Sequence, residues 1–253
     1  MGSEMCIRDS TKGARDLLLL QRHDKTAIYD LHYVKPKPVA ARRDTFEVGE
    51  RMAADGTIVQ ALVEKEARPI VESALAAEAY DAVAICFLNG YLNPKNEMKL
   101  AEIVRGINPN ISITCSHEVT REFREYERAS TTTLAAYVQP VIEGYLGRFV
   151  TALEKKGFDG RFSVMQSNGG RMPAKAMARN AITALFSGPA AGVVGALRQV
   201  EASGVRDLIT LDMGGTSTDV SLISDGLPDL APMTKIDGLP VKTPVIDIAT
   251  VGA

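Results

Sequence analysis

The residues best suited to chemistry lie late in the 253-residue sequence, in the string Ile209-Thr-Leu-Asp212-Met-Gly214-Gly215-Thr216-Ser217-Thr218-Asp219-Val-Ser-Leu-Ile223. An apolar run delivers an aspartate, two glycines, three hydroxyl residues and a second aspartate, and another apolar run follows. Adjacent glycines let a backbone turn tightly and bring N–H groups close to an anion. Thr216, Ser217 and Thr218 add hydroxyl donors, so Gly214 to Asp219 are expected to hold phosphate. No lysine lies in the loop, which therefore lacks the GxxxxGK pattern of a Walker A site. The charge of a phosphate would be met instead by Mg²⁺, with Asp212 at the strand tip its natural partner through bound water. Phosphoryl transfer asks a protein mainly for positioning and charge neutralisation. The plain alternative is a hairpin with a Gly-Gly turn and capping hydroxyls. The ordered string favours the phosphate loop.

Other groups are weaker candidates. Ser167-Asn168-Gly169-Gly170 follows a strand candidate, where site loops of parallel sheets tend to lie, and is read as a possible substrate contact. A structural turn using Asn and Gly explains it equally well. Arg124, Glu125, Glu127 and Arg128 sit one helical turn apart in pairs, which suits a solvated helix face or salt bridges. Arg128 is kept as the catalytic candidate among them. His117 follows a strand and is read as surface or capping. His23 and His32 have no cluster around them, and no HxH or HxxxH spacing occurs, so any metal is expected to be Mg²⁺ carried with a nucleotide.

The elements that must position these residues alternate between helix and strand. Residues 58–79 suggest an amphipathic helix in two parts, with Pro69 starting the second. Asp81–Leu88 is a continuous apolar run of the kind buried parallel strands show. A helix over Glu97–Arg105 and a strand over Ile111–Cys115 complete a β-α-β cadence. Residues 121–156 read as strongly helical, with Pro140 starting or kinking the last part and Gly157 ending it. A strand over Arg161–Gln166, a helix from near Pro173, a small-residue helix over 188–200, and a strand from Leu208 into the phosphate string follow. Val220–Ser224 with Asp225-Gly226 reads as a hairpin.

A composition of 45% hydrophobic and 24% charged residues suits an α/β protein able to bury one or two cores. The net charge of −2 gives no reason to expect nucleic-acid or membrane-surface binding. Cys6, Cys86 and Cys115 have no CxxC spacing; Cys86 and Cys115 lie in apolar runs and are expected to be buried, inert thiols of a reducing cytosol. No apolar run approaches the roughly 20 residues that span a bilayer. Met1–Ser10 match nothing downstream in style and are expected to be a leader outside the fold.

The phosphate string resembles the second phosphate loop of the actin/Hsp70/sugar-kinase superfamily, and Gly188-Pro-Ala-Ala-Gly192 resembles its first connecting segment; a tightly packed core helix explains the latter as well. More narrowly, several phrases resemble the hydantoinase A/5-oxoprolinase family with its acetone carboxylase-type subunits. They are Arg124–Arg128 with Thr131–Thr133 and Ala136-Tyr137, Gln166–Gly170, Ser187–Gly192, Asp212–Asp219 and Asp247–Ala253, with Tyr29-Asp30-Leu31 and Ala82–Tyr91 upstream. The resemblance implies ribonuclease H-like, actin-like α/β lobes that use ATP and Mg²⁺. It implies opening of a cyclic amide (a hydantoin, 5-oxoproline or related lactam) after phosphorylation of its carbonyl, in the cytoplasm, in an oligomer with a B-type subunit or domain. An ATP-dependent ketone carboxylase subunit shares these motifs, and a non-catalytic actin-like module is the more distant alternative. The family's first phosphate loop, of the form DxGGTFTD, does not precede residue 200, and Asn96-Glu97 stands where His-Glu is expected. The expectation is a fragment incomplete at both ends: a leader over 1–10, the remainder of a first lobe over 11–128, and the start of a second over 129–253.

Overall fold

A computed structural model describes residues 6–22, 25 and 27–252. The chain forms two compact units, Met1–Pro140 with Lys235–Lys242, and Val141–Thr234 with Thr243–Ala253. The division between them falls at Pro140, inside a helix.

The first unit is built on four parallel strands: β1 (Cys6–Thr11), β2 (Thr45–Val48), β3 (Ala82–Cys86) and β4 (Ser112–Cys115), in the order β2-β1-β3-β4. All five residues of β3 are buried, as its apolar run requires. Helices α1 (Glu64–Ala77) and α2 (Lys95–Ile107) are the crossovers. Their apolar positions recur at helical spacing, Ala67, Val71 and Ala74 in one and Leu100, Ile103, Val104 and Ile107 in the other. These pack on Ile7, Val48, Val83 and Ile85 to make the main core. Helix α3 (Glu125–Lys155) brings Ala129 against Leu18 and Cys86, and Ala136 against Cys6, Ala82 and Ala84. Gly157, in the left-handed region at φ 79°, ends it. The Phe158 N–H reaches back to the Leu153 carbonyl at 3.1 Å in the pattern of a Schellman motif.

Two expectations are corrected here. Residues 58–60 are a short strand, and the single helix that follows runs through Pro69. Pro69 removes a hydrogen bond to the Lys65 carbonyl, but both residues lie on the exposed side, where water can take its place. Residues 6–10, read as leader, are part of an inner strand of the sheet, paired with β2 on one side and β3 on the other. Residues 1–5 and His23 lie outside the described residues.

Strand β1 is held by its backbone against its side chains. Arg8 is 1% exposed with Nε and Nη1 unpartnered, and Asp9 is 3% exposed with Oδ1 unpartnered. Burial lowers the Arg8 pKa and pushes the Asp9 carboxyl up to about 7, against an attraction to Arg8 that lowers it. Removing one member of a buried interacting pair costs ~3–5 kcal/mol. Arg8→Leu, which strips the buried Asp9 of that attraction, is accordingly expected to lower the urea unfolding midpoint. The folded Asp9 binds its proton more tightly than the unfolded chain, whose carboxyl titrates near ~3.9. Its stabilisation is complete below that pH and is lost as pH rises to about 7. Asp9→Asn should flatten that part of the stability–pH curve.

Where the parallel strands end, buried polar groups are closely paired. Glu97, fully buried on α2, accepts from the Phe87 N–H (3.0 Å), the Ser116 hydroxyl (2.6 Å) and the His117 N–H (3.1 Å). His117 Nδ1 lies 2.7 Å from Glu97 Oε2, the oxygen that also accepts from the His117 N–H. Gly90 is required beside it, because a Cβ there would lie 2.6 Å from Glu97 Oε1. Glu50 is likewise buried, taking hydrogen bonds from Thr11 and from Asn96 (2.8 Å), and burial raises its pKa.

The second unit carries a strand pair β5 (Ser163–Met165) and β6 (Arg171–Pro173), helix α4 (Ser187–Val200), and strands β7 (Leu208–Met213), β8 (Ser217–Ser224), β9 (Leu227–Pro228), β10 (Leu230–Ala231), β11 (Val245–Ile246) and β12 (Ala249–Gly252). β8 is the spine of its sheet: β7 lies on one edge, and β12 and β9 share the other. The turn into β9 uses Asp225 and Gly226 at φ 56° and 78°, the pair of positive angles a type I′ hairpin needs. One sheet face packs on α4 through Ala190, Val193, Ile223 and Ile246. On the other face Ile209, Leu211 and Met213 are 63–71% exposed.

Candidate active site

The phosphate string forms the hairpin between β7 and β8. Antiparallel register sets Met213 opposite Thr218 and Asp212 opposite Asp219. The Gly214 N–H donates to the Ser217 carbonyl at 2.8 Å, leaving Gly215 and Thr216 as an exposed tip. Neither Gly214 nor Gly215 has a left-handed φ, so the turn by itself does not demand glycine. A Cβ at Gly215 would meet nothing within 4 Å. The remaining physical reason for a bare backbone there is close approach by something outside the hairpin.

Directly opposed residues on antiparallel strands project to the same face with Cβ atoms about 5 Å apart. Asp212 and Asp219 therefore stand side by side, on the face that α4 covers. Gly192 of α4 faces Asp212, and a Cβ there would lie 3.6 Å from Asp212 Oδ2, an ordinary contact distance. Thr250 of β12 donates to Asp219 Oδ1 at 2.7 Å. Both carboxylates line a cavity of about 380 Å³ with Pro189, Gly192, Val193, Leu208, Thr210 and Ile248. Among the described residues that line it none is cationic, so the two carboxylates face each other with no basic side chain in the cavity wall. Carboxylate oxygens are hard ligands of the kind Mg²⁺ takes, one or two at a time with several waters. No group of three or more metal-ligating side chains occurs among the described residues.

The other candidates are placed elsewhere. Arg128 belongs to the first unit and is fully buried. Its guanidinium donates to the Phe87 and Glu122 carbonyls, lies 3.5 Å from Glu125 and sits over the Tyr91 ring at 5.2 Å. It straps the loop after β3 to α3 and is closed to substrate. Glu127, 5% exposed, is paired with Arg22. The expected solvated face is thus turned inward at Glu127 and Arg128, and His117, read as surface, is buried against Glu97.

Ser167–Gly170 supports the site's helix. The Ser167 hydroxyl donates to the Thr183 carbonyl at 2.7 Å and accepts from the N–H of Phe186, the residue before α4. The Ser167 carbonyl accepts from Ile246 N–H at 2.8 Å. Gly169 has φ 82°, and a Cβ there would sit 2.9 Å from Val194 and 3.1 Å from Ile246. Gly169→Ala is expected to cost ~1–3 kcal/mol, read as a lowered melting temperature.

Cys6, Cys86 and Cys115 are free and buried. Burial pushes the Cys6 thiol up to about 12 and raises that of Cys115, which makes both poor nucleophiles. Thr250 and Gly192 are the site residues that residue types alone did not select. Both lie in segments that resemble the family, but register and packing are what bring them to the aspartates.

The hydantoinase/oxoprolinase family pattern matches residues 128–253, and the pattern of its N-terminal region matches residues 9–108. The chain belongs to the hydantoinase/oxoprolinase family. It is 32% identical to caprolactamase subunit alpha of Pseudomonas jessenii over 89% of this chain and 32% of that protein. It is 30% identical to 5-oxoprolinase 1 of Arabidopsis thaliana over 98% of this chain and 20% of that protein. Among solved structures, the P. jessenii ATP-dependent caprolactamase superposes with a TM-score of 0.86 at 30% identity, covering 98% of this chain and 36% of the other. Nucleotide-free acetone carboxylase superposes with a TM-score of 0.84 at 28% identity, covering 99% and 36%. The chain thus spans about a third or less of the length of these family members. The mixed α/β architecture with a parallel sheet is that of the family. Among the described residues no helix is long and apolar enough to cross a membrane.

Proposed function

We propose that this chain provides one phosphate-binding hairpin of an ATP-dependent cyclic amidase. The observation that carries the reading is the facing pair Asp212 and Asp219 beneath the exposed tip at Gly215 and Thr216. Backbone N–H groups and hydroxyls of the tip would bind phosphate oxygens, and the two carboxylates would hold Mg²⁺ through water. The nucleotide would supply a phosphoryl group to the ring-amide carbonyl oxygen, so that water can add to the carbon, the ring nitrogen can leave, and a second water can release phosphate from the acyl group. One amide and one ATP, with two waters, then yield the amino acid, ADP and phosphate. Relatives named as caprolactamase and 5-oxoprolinase support the substrate class, and subunit names such as caprolactamase subunit alpha support a B-type partner in an oligomeric enzyme. The similarity to acetone carboxylase supports ketone carboxylation as the second reading.

Phosphate release from ATP by the assembled protein, with and without each compound, separates the two. A cyclic amidase releases phosphate in step with ring-opened acid when given a lactam. Release that needs both bicarbonate and a ketone, and ignores lactams, would establish the carboxylase instead.

A further inference from the structure

The register of three strands sets Asp212, Asp219 and Thr250 in one row. Asp212 of β7 stands opposite Asp219 of β8, and Asp219 stands opposite Thr250 of β12. Directly opposed residues share a sheet face, so two carboxylates and a hydroxyl lie side by side across the three strands. The two carboxylates are not held alike. The Thr250 hydroxyl donates to Asp219 Oδ1 at 2.7 Å. Oδ2 of Asp219 and both oxygens of Asp212 have no hydrogen-bond partner among the described residues. The last torsion of an aspartate has only a broad preference, so one tethered oxygen decides where the other points. A hydroxyl donating to a carboxylate makes a short, charge-assisted bond suited to that task.

The hydroxyl is not needed to hold β12 in place. Register pairs from Ser217 with Gly252 to Val220 with Ala249 join β12 to β8. The buried Ser221 hydroxyl donates to the Asp247 carbonyl at 2.9 Å, and the Asp247 N–H donates to the Asp229 carbonyl at 2.8 Å. Ile246 and Ile248 pack into the core beside α4. These contacts fix the path of the strand, which leaves the Thr250 hydroxyl free to act on Asp219. Threonine also suits the place because its branched Cβ restricts χ1 and so aims the hydroxyl.

We propose that Thr250 is a positioning residue of the phosphate site: its hydroxyl fixes Asp219 by Oδ1 and leaves Oδ2 for the Mg²⁺ of a bound nucleotide. This role rests on Asp212 and Asp219 being the Mg²⁺ pair of the hairpin. Asp219 then meets the ion with its orientation already set, and Asp212, which no protein group tethers, adapts to it. Loss of a hydrogen bond that orients a metal's ligand typically costs ~10–100-fold in metal affinity.

The test uses the full-length protein that contains this chain. Calorimetry gives the Kd of Mg·ADP, a Mg²⁺ titration at fixed ADP gives the half-saturating Mg²⁺ concentration, and a melting curve reports folding. Thr250→Val keeps the branched shape, removes the hydroxyl, and should raise the half-saturating Mg²⁺ concentration ~10–100-fold. Thr250→Ser, which restores the hydroxyl, should stay within roughly threefold of wild type, and Thr250→Val in an Asp219→Ala background should add less than about twofold. A merely structural threonine would move the melting temperature and leave the Mg²⁺ dependence alone. Wild-type Mg²⁺ dependence in Thr250→Val, a loss that Thr250→Ser does not restore, or a loss undiminished by Asp219→Ala overturns the proposal. So does a Thr250→Val protein that fails to fold, since the hydroxyl would then be holding the strand. If the wild type binds ADP without needing Mg²⁺, or does not bind it, the phosphate-site reading itself falls.

Discussion

Replacing Asp212 by asparagine should move two properties in opposite directions. Binding of Mg·ADP should weaken by ~10–100-fold, the loss typical when a group that orients a metal's ligands is removed. The ligand-free protein should become slightly more stable, by a few tenths of a kcal/mol, because Asp212 and Asp219 stand opposite each other with no cation between them. Asp219→Asn should share the second effect, and its amide oxygen can still accept from Thr250. The opposing signs distinguish a metal-holding pair from structural aspartates, whose loss would lower stability and leave nucleotide affinity alone. Calorimetric titration with Mg·ADP and a melting curve on the same samples read both.

Glu97→Ala should destabilise the first unit by ~3–5 kcal/mol, the cost of removing one member of a buried, hydrogen-bonded charged group. Glu97 is fully buried and takes hydrogen bonds from Phe87 N–H, the Ser116 hydroxyl and His117. Truncation leaves these donors without their acceptor. Glu97→Gln keeps one acceptor oxygen and should lose less, ~1–3 kcal/mol. Urea unfolding measures both. An alanine variant within ~1 kcal/mol of wild type would mean that the donors find other partners.

The parts of this architecture legible in the sequence are those whose signal is local. The run around Val83 and Ile85 reads as a buried parallel strand because both of its faces are covered, and Gly157 reads as a helix end because its backbone angle favours glycine. The order Asp212-x-Gly-Gly-Thr-Ser-Thr-Asp219 between two apolar runs reads as two strands joined by a glycine turn, and the hairpin was the plain alternative to the phosphate loop that the string favours. Strand β1 was not legible, because Arg8, Asp9 and Ser10 carry no apolar pattern and only pairing with β2 and β3 makes them a strand. Burial of Arg128, Glu127 and His117 was equally hidden. Each is decided by a partner far along the chain, such as Phe87, Arg22 or Glu97. The link from Thr250 to Asp219 spans 31 residues and becomes visible only when β12 pairs with β8.

The central claim is that Asp212 and Asp219 hold Mg²⁺ for a nucleotide whose phosphates meet the Gly214–Thr218 tip. Isothermal calorimetry of ADP against this chain, with Mg²⁺ and then with EDTA, tests it most directly. The account predicts binding with Mg²⁺ that EDTA abolishes and that Asp212→Asn weakens by ~10–100-fold. Equal affinity in the presence and absence of Mg²⁺, or equal affinity of the Asp212→Asn variant, would contradict it.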